Sequence, residues 1–220
     1  MERHISIAIS RQMGSGGTLV GKNAADRLGF SYMNREILRQ AAASLHEDEN
    51  ILSLREERVS SFMENLLDSL CICAPEGGYS PPPIRPIHNR ELFVTETEII
   101  RSIASRCSSV IVGRGAFHIL HGNPNLITVF IHAPLPFRCK RVMEIYGIPS
   151  AGEAEEIVLD SDRQRSKFIR TIADVDCNDA RNYHLSIDTS LTGFDFATEI
   201  IVGCARRMQN RTGNGSDIRS

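Results

Sequence analysis

The sequence lacks the compositional features that indicate a nucleic-acid or membrane protein. Its 25 lysines and arginines are outnumbered by 27 aspartates and glutamates, which gives a formal net charge of −2 at pH 7. A general nucleic-acid binder normally carries a basic excess, so we expect no nucleic-acid partner. No uncharged apolar run approaches the ~18 residues that a membrane-spanning helix needs, so we also expect no membrane association.

Metal-binding and redox motifs are missing as well. The six cysteines include one close pair, Cys71 and Cys73, whose spacing is not C-x-x-C. The seven histidines show no H-x-x-x-H or H-E-x-x-H spacing. Scattered cysteines fit a reducing compartment, and the first residues lead into a strand-like segment without the apolar stretch of a signal peptide. We therefore expect a cytoplasmic protein.

What the sequence does contain is an alternation of short apolar segments with longer helical patterns. The apolar segments predict strands at residues 5–9, 30–33, 110–112, 126–131 and 185–187. Helical patterns lie at residues 19–28, 35–43, 47–73, 91–106, 135–146, 153–172 and 194–208. Strands that alternate with helices predict an α/β domain whose parallel sheet is covered on both faces. The chain is long enough for one such domain, 1–208, and the polar segment 209–220 predicts a disordered tail.

Polar residues follow each predicted strand, at the edge of the sheet where ligands of such folds bind. They comprise Ser10-Arg11-Gln12, Asn34-Arg35, Gly113-Arg114-Gly115, His132 and Asp188-Thr189-Ser190. A proline-rich segment, residues 74–89, separates two of the helical patterns and predicts either a mobile loop or an extended arm.

A glycine-rich loop follows the first strand and precedes the first helix. The backbone N–H groups of such a loop and the positive end of the helix favour a phosphate. The loop residues predicted to bind phosphate are Ser10, Arg11, Gly14, Ser15, Gly16, Gly17 and Thr18. The pattern G-x-x-x-x-G-K-[ST] is not met, since Ser15 stands where lysine would follow Gly14. A tight turn without a ligand is the alternative.

Six segments, in the same order along the chain, resemble the cytidylate kinase-like family of P-loop nucleoside monophosphate kinases. They are ISRQMGSGG (9–17), GFSYMNREIL (29–38), VIVGRGA (110–116), RCKRVMEIYGI (138–148), DRQR (162–165) and NYHLSIDTS (182–190). The first and third are the more specific, and together the six span roughly residues 4 to 205.

The resemblance implies a P-loop NTPase-type three-layer sandwich with a five-stranded parallel sheet. It also implies a helical acceptor-binding insertion at about 45–106 and a lid at about 138–180. The implied reaction moves the γ-phosphoryl of ATP to a nucleoside monophosphate, CMP or dCMP first among the candidates, with Mg²⁺ as the metal.

Phosphoryl transfer depends on positioning and on the neutralisation of negative charge, a task that arginines suit. The predicted catalytic arginines are Arg11, Arg138, Arg141, Arg163 and Arg165. By resemblance Arg114 would hold the acceptor phosphate, with Asn34 and Arg35 beside it. For the lid arginines the alternative is a solvated helix surface.

The sequence departs from the family in three ways. Asparagine occupies position 34, where aspartate is usual; the loop lysine is missing, with Arg11 as its hypothetical replacement; and the third strand ends without acidic residues. Ser15 or Thr18 would supply the hydroxyl ligand of a magnesium ion. Asp162 is either a distant metal ligand or a partner for the lid arginines.

Two functions remain open at this point. The first is a kinase acting on nucleotide substrates, with the helices at 47–73 and 91–106 as a possible homodimer face. The second is a catalytically impaired nucleotide-binding sensor or partner-binding module of the same fold, which the missing lysine and acids favour. A dinucleotide-dependent oxidoreductase is disfavoured because Leu19 stands at the third glycine position of G-x-G-x-x-G.

Overall fold

A computed structural model describes residues 4–38 and 90–213. The predicted helix at 47–73, the proline-rich segment 74–89 and most of the predicted acceptor-binding insertion lie outside the described residues. Residues 35–38 are helical and begin the helix that the sequence predicts after the second strand.

Five parallel strands form a single sheet in the described residues. They are β1 (Ser6–Arg11), β2 (Ser31–Asn34), β3 (Ser109–Val112), β4 (Leu126–His132) and β5 (Leu185–Asp188). The strand order is β2-β3-β1-β4-β5, so β1 lies in the centre with β3 on one side and β4 on the other. All four pairings are parallel, which confirms the predicted α/β class and five-stranded sheet.

Helices follow the strands as the alternation predicts. They are α1 (Gly17–Leu28), α2 (Arg90–Arg106), α3 (Ala116–Ile119), α4 (Leu135–Tyr146), α5 (Ala151–Ala173) and α6 (Thr189–Gly213), with a 3₁₀ turn at Ala180–Asn182. The sequence analysis did not identify α3 or the 3₁₀ turn, because elements of three or four residues show no helical periodicity. None of the described helices combines the length and apolarity that crossing a membrane requires.

Each face of the sheet packs against its own layer of helices, because successive side chains of a strand point to opposite faces. In β1, Ile7 and Ile9 belong to the core under α1 and α6, whereas Ala8 belongs to the core under α2, α3 and α5. A third, smaller cluster joins α4 to α5. The result is the three-layer sandwich expected from the sequence.

Glycines mark the end of α1 and an interruption in α6. Gly29 ends α1 at φ 66°, the left-handed conformation that glycine adopts without strain. Helix α6 is interrupted at Gly193, with φ 70° and ψ 175°, so the segment before it is separate from the main helix. That main helix ends at Gly213 rather than at Met208, and residues 209–213 of the predicted tail are therefore helical.

Candidate phosphate-binding site

A cleft opens at the carboxyl ends of β1 and β3, where ligands bind in sheets of this kind. Its walls comprise Ser10-Arg11-Gln12 from β1, Gly113-Arg114-Gly115 from β3, and a stretch of α5 that includes Asp162 and Arg165. The cleft therefore brings together residues as far apart in the chain as Ser10 and Arg165, as the predicted sheet requires.

The glycine-rich loop has no room for side chains at two positions. Gly14 has φ 78° and packs against the backbone of Arg138, and Gly16 has φ 79° and packs against the ring of Phe194. Both residues are in the left-handed region, where a β-carbon is strained. These glycines let the chain turn from β1 into α1 while it touches α4 on one side and α6 on the other.

The back of the loop is anchored to the sheet through Ser15. This side chain is fully buried, and its hydroxyl donates to the backbone oxygens of Gln12 (2.8 Å) and Ile131 (3.1 Å). Thr189, at the start of α6, donates its hydroxyl to Ser15 O at 2.7 Å and to His132 O at 3.2 Å. The loop is thus tied to the ends of β4 and β5.

Of the two residues predicted to bind magnesium, Ser15 fits the metal poorly. The Ser15 hydroxyl faces two carbonyl oxygens inside the protein, so it does not fit a metal ion in this arrangement. Thr18 is half-buried and stays a prediction. Within residues 4–38 and 90–213, no cluster of three or more histidine, cysteine, aspartate or glutamate side chains is arranged to hold a metal. We therefore derive no step through Mg²⁺.

Asp162 of α5 lies against the loop and pairs with two arginines. Its Oδ1 accepts from the Met13 backbone N–H at 2.9 Å and from Arg165 Nη1 at 3.2 Å, and its Oδ2 accepts from Arg138 Nη1 at 2.6 Å. The sequence left two roles open for Asp162, a metal ligand or a partner of the lid arginines, and the structure supports the second. A carboxylate with three donors has little capacity left for a metal.

Both of these arginines also bind backbone oxygens of the loop or its neighbours. Arg138, 7% exposed, donates to Met13 O at 3.2 Å and to Ala133 O at 2.9 Å. Arg165, 34% exposed, donates to Arg11 O at 3.3 Å. The guanidinium groups are therefore held beside the loop by the carbonyl oxygens as well as by Asp162.

The backbone of Arg114 is strained, and its side chain is largely buried. Its φ is 54°, between glycines that have φ 88° and 71°, so three consecutive residues are left-handed. Its guanidinium forms an ion pair with Glu96 of α2 and lies 4.7 Å from the ring centroid of Phe168. Burial, and after it the charge of Arg35, lower the pKa of Arg114 to about 10, so the side chain stays charged at neutral pH.

The ion pair does not satisfy every donor of Arg114. Its buried Nε has no hydrogen-bond partner among the described residues. Glu96 is only 1% exposed, and nothing in the sequence distinguished it from the other acidic residues of its helix. A buried carboxylate opposite Arg114 could be found only after α2 was placed against the end of β3.

Arg11 reaches across from β1 to β3. Its guanidinium packs directly on Gly113, where a β-carbon would overlap it. The Arg11 side chain thus lines the cleft, together with Gly113 and Arg114. The hypothesis that Arg11 replaces the missing lysine stays a prediction.

Asn34 caps the helix that follows β2. Its Oδ1 accepts from the backbone N–H groups of Glu36 (2.9 Å) and Ile37 (3.0 Å), which is the usual task of asparagine at a helix start. Arg35, next in sequence, is half-buried and close enough to Arg114 to affect its pKa. Their roles toward an acceptor stay predictions.

The remaining two arginines lie in different surroundings. Arg141 stacks at 4.1 Å on the ring of Phe194, the ring that also covers Gly16, and burial lowers its pKa. Arg163 is 70% exposed and pairs with Asp160 on the outer face of α5. The structure therefore brings Arg141 to the edge of the loop and leaves Arg163 outside the cleft.

Tyr183 lies behind the cleft, next to the end of β1. It is 9% exposed and donates its hydroxyl to Cys177 O at 2.8 Å. Burial raises the pKa of Tyr183 to about 12, and a hydrogen bond with Ser10 acts in the opposite direction. The tyrosine links the 3₁₀ region to a residue of the predicted phosphate site.

A comparison with models of protein families shows which family the chain belongs to. The model of the cytidylate kinase-like family matches residues 6–191. The chain belongs to the cytidylate kinase-like family. This membership supports phosphoryl transfer and the use of a nucleotide in general, and it covers every element of the cleft described above. No curated protein matches the chain.

Solved structures give a consistent result for the fold. An uncharacterised protein from Eubacterium ventriosum has 25% sequence identity and a TM-score of 0.68, over 92% of this chain and 99% of that one. TT1252 from Thermus thermophilus has 16% identity and a TM-score of 0.53, over 94% and 98% of the two chains. A gluconokinase from Sinorhizobium meliloti has 16% identity and a TM-score of 0.51, over 98% and 100%. The last two share the fold alone with this cytidylate kinase-like protein.

Proposed function

We propose that this protein is a phosphotransferase that moves the γ-phosphoryl of ATP to a nucleoside monophosphate, with CMP or dCMP as the first candidates. The observation that carries the proposal is the convergence of guanidinium groups on the glycine-rich loop. Arg138 and Arg165 donate to backbone oxygens next to that loop, and Arg11 lines the same cleft. Phosphoryl transfer needs such a group of cations around the oxygens of the transferred phosphate.

In this proposal the loop residues Ser10 to Thr18 bind the phosphates of ATP through backbone N–H groups. Arg114 faces the other end of the cleft, where an acceptor phosphate would lie between β1 and β3. The lid is the segment at about 138–180, which contains α5 and most of α4, and the acceptor-binding insertion is the segment at about 45–106. A cytoplasmic location and a homodimer stay predictions.

The reaction is tested by incubating the purified protein with ATP, Mg²⁺ and each common nucleoside monophosphate, and by measuring diphosphate and ADP. We expect turnover with CMP or dCMP, and a loss of about 10²–10³-fold in kcat for Arg165→Ala, because removing one preorganised donor typically has that effect. Arg207→Ala is the matched control. Arg207 is exposed on α6, 13 residues beyond Phe194 and hence about 20 Å along the helix.

The outcomes separate the two candidate functions. Turnover that Arg165→Ala leaves unchanged would overturn the assigned role of the cleft. ATP binding by calorimetry without turnover of any acceptor would support the impaired nucleotide-binding module instead, which the missing loop lysine favours. Arg11→Ala tests whether Arg11 supplies the charge of the missing loop lysine. We expect this variant to lose ATP binding while its far-ultraviolet circular dichroism stays unchanged.

A further inference from the structure

Asp162 makes a contact that the proposed reaction does not require. Its carboxylate accepts from the N–H of Met13, a backbone donor within the glycine-rich loop. Backbone N–H groups between a strand and a helix form an anion site. A carboxylate from α5, 149 positions later in the chain, thus lies where a negatively charged ligand of the loop would bind.

We propose that the Asp162 carboxylate occupies an anion position of the phosphate loop when no nucleotide is bound, and that a nucleotide phosphate displaces it. The inference rests on the proposed function, because it assumes that the loop binds phosphates. It assigns to Asp162 the role of an internal competitor that keeps the two arginines and the Met13 N–H paired until a phosphate arrives.

The donors around Asp162 suit a phosphate as well as a carboxylate. Arg138 Nη1 and Arg165 Nη1 bind the two oxygens of the carboxylate from two helices. Guanidinium groups bind carboxylate and phosphate oxygens with the same fork geometry. A polyphosphate carries more negative charge than one carboxylate and interacts more strongly with the same donors.

Displacement of Asp162 would leave both arginines in place. Arg138 keeps its bonds to Met13 O and Ala133 O, and Arg165 keeps its bond to Arg11 O. The guanidinium groups are therefore positioned by the loop itself and need only exchange one anion for another. The side chain of Asp162 is 22% exposed, so protein does not enclose it on every side.

The opposite role is that Asp162 permanently orients the two arginines for the nucleotide. The two roles predict opposite effects of Asp162→Asn, which removes the charge and keeps the shape. Displacement predicts tighter anion binding, whereas orientation predicts weaker binding. Asp160→Asn is the matched control, because Asp160 lies on the same helix, pairs with Arg163 and is 51% exposed outside the cleft.

The experiment measures the Kd of inorganic tripolyphosphate and of ATP by calorimetry for the wild type, Asp162→Asn and Asp160→Asn. We expect Asp162→Asn to lower both Kd values about tenfold relative to Asp160→Asn, since the ligand no longer competes with a charged internal partner. Unchanged or weaker binding by Asp162→Asn, with a wild type that binds, would overturn the inference and leave the proposed function standing. No binding by any of the three proteins would overturn both.

A measurement on the wild type covers the case in which Asp162→Asn does not fold. The ¹³C resonance of the Asp162 carboxyl carbon, assigned through its backbone connections, should move on addition of tripolyphosphate while that of Asp160 stays in place. An Asp162 resonance that stays fixed at saturating tripolyphosphate would refute the displacement.

Discussion

Replacing Glu96 by glutamine tests whether a buried ion pair stabilises the end of β3. The side chain of Glu96 is 1% exposed and that of its partner Arg114 is 10% exposed. Glutamine retains the volume and one accepting oxygen but removes the negative charge that faces a buried guanidinium. Removing one partner of such a pair costs about 3–5 kcal/mol. We expect about 3 kcal/mol, because Arg114 retains its stacking contact with Phe168.

That loss is large enough to measure by two methods. For a chain of this size, each kcal/mol shifts Tm by about 2–4 °C, so Tm should fall by roughly 6–12 °C. Urea unfolding followed by circular dichroism should show a lower midpoint with an unchanged slope. Glu98→Gln is the matched control, since Glu98 is exposed two residues further along the same helix, and its effect should stay within about 0.5 kcal/mol.

The double variant Glu96→Gln/Arg114→Met makes the test stricter. Replacing both members of a buried pair by hydrophobic residues of similar volume is often close to neutral, and this double variant likewise leaves no buried charge without a partner. The second change should therefore restore part of the stability that the first removes. If Glu96→Gln and Glu98→Gln unfold at the same urea concentration, the ion pair does not stabilise the fold and the reasoning is refuted.

Two further predictions follow from the geometry of the loop and of the residue behind it. Gly16→Ala should lower the free energy of unfolding by about 1–2 kcal/mol for the left-handed φ alone, and further because the new methyl group overlaps the ring of Phe194. Gly203→Ala, in an exposed helical position where a β-carbon meets nothing, should instead raise it by about 0.5–1 kcal/mol; equal effects of the two variants in urea would contradict this. The raised pKa of Tyr183, about 12 in the folded protein, means that the folded state holds this proton more tightly than the unfolded state, whose tyrosine has a pKa near ~10. The protonated tyrosine therefore stabilises the folded state fully below about pH 10, and this contribution is lost as the pH rises to about 12. Over that range the unfolding free energy of the wild type should decrease more steeply than that of Tyr183→Phe. Parallel curves for the two proteins would refute the assignment.

The sheet and the glycine-rich loop were predictable because their signals are local. A short apolar segment ending in a polar residue predicts a strand, and the structure confirms this for β1 and β3. The five apolar segments also predicted the number of strands. Short elements such as α3 carry too few residues for any periodicity, so they were missed.

The arginines show where local reasoning stops. Arg163 and Arg165 were both predicted as catalytic from their place in one segment. Residues two apart on a helix point in directions about 160° apart, so one side of α5 cannot present both. The structure turns Arg165 to the cleft and leaves Arg163 paired with Asp160 in solvent. Choosing between them requires knowing which face of α5 packs against the loop, and that depends on tertiary contacts.

The hydroxyl of Thr189 holds the glycine-rich loop in shape before a ligand binds. Thr189 is 1% exposed and holds Ser15 O from 174 positions further along the chain. The rear of the loop is therefore fixed by the folding of the carboxyl-terminal half, before any phosphate is present. A ligand that binds a loop already held in shape loses little affinity to ordering the chain. A chain that ends before β5 would lack Thr189 and its hydrogen bond to the loop. We expect such a chain to bind phosphate more weakly, because part of the binding free energy would be used to order the glycine-rich loop.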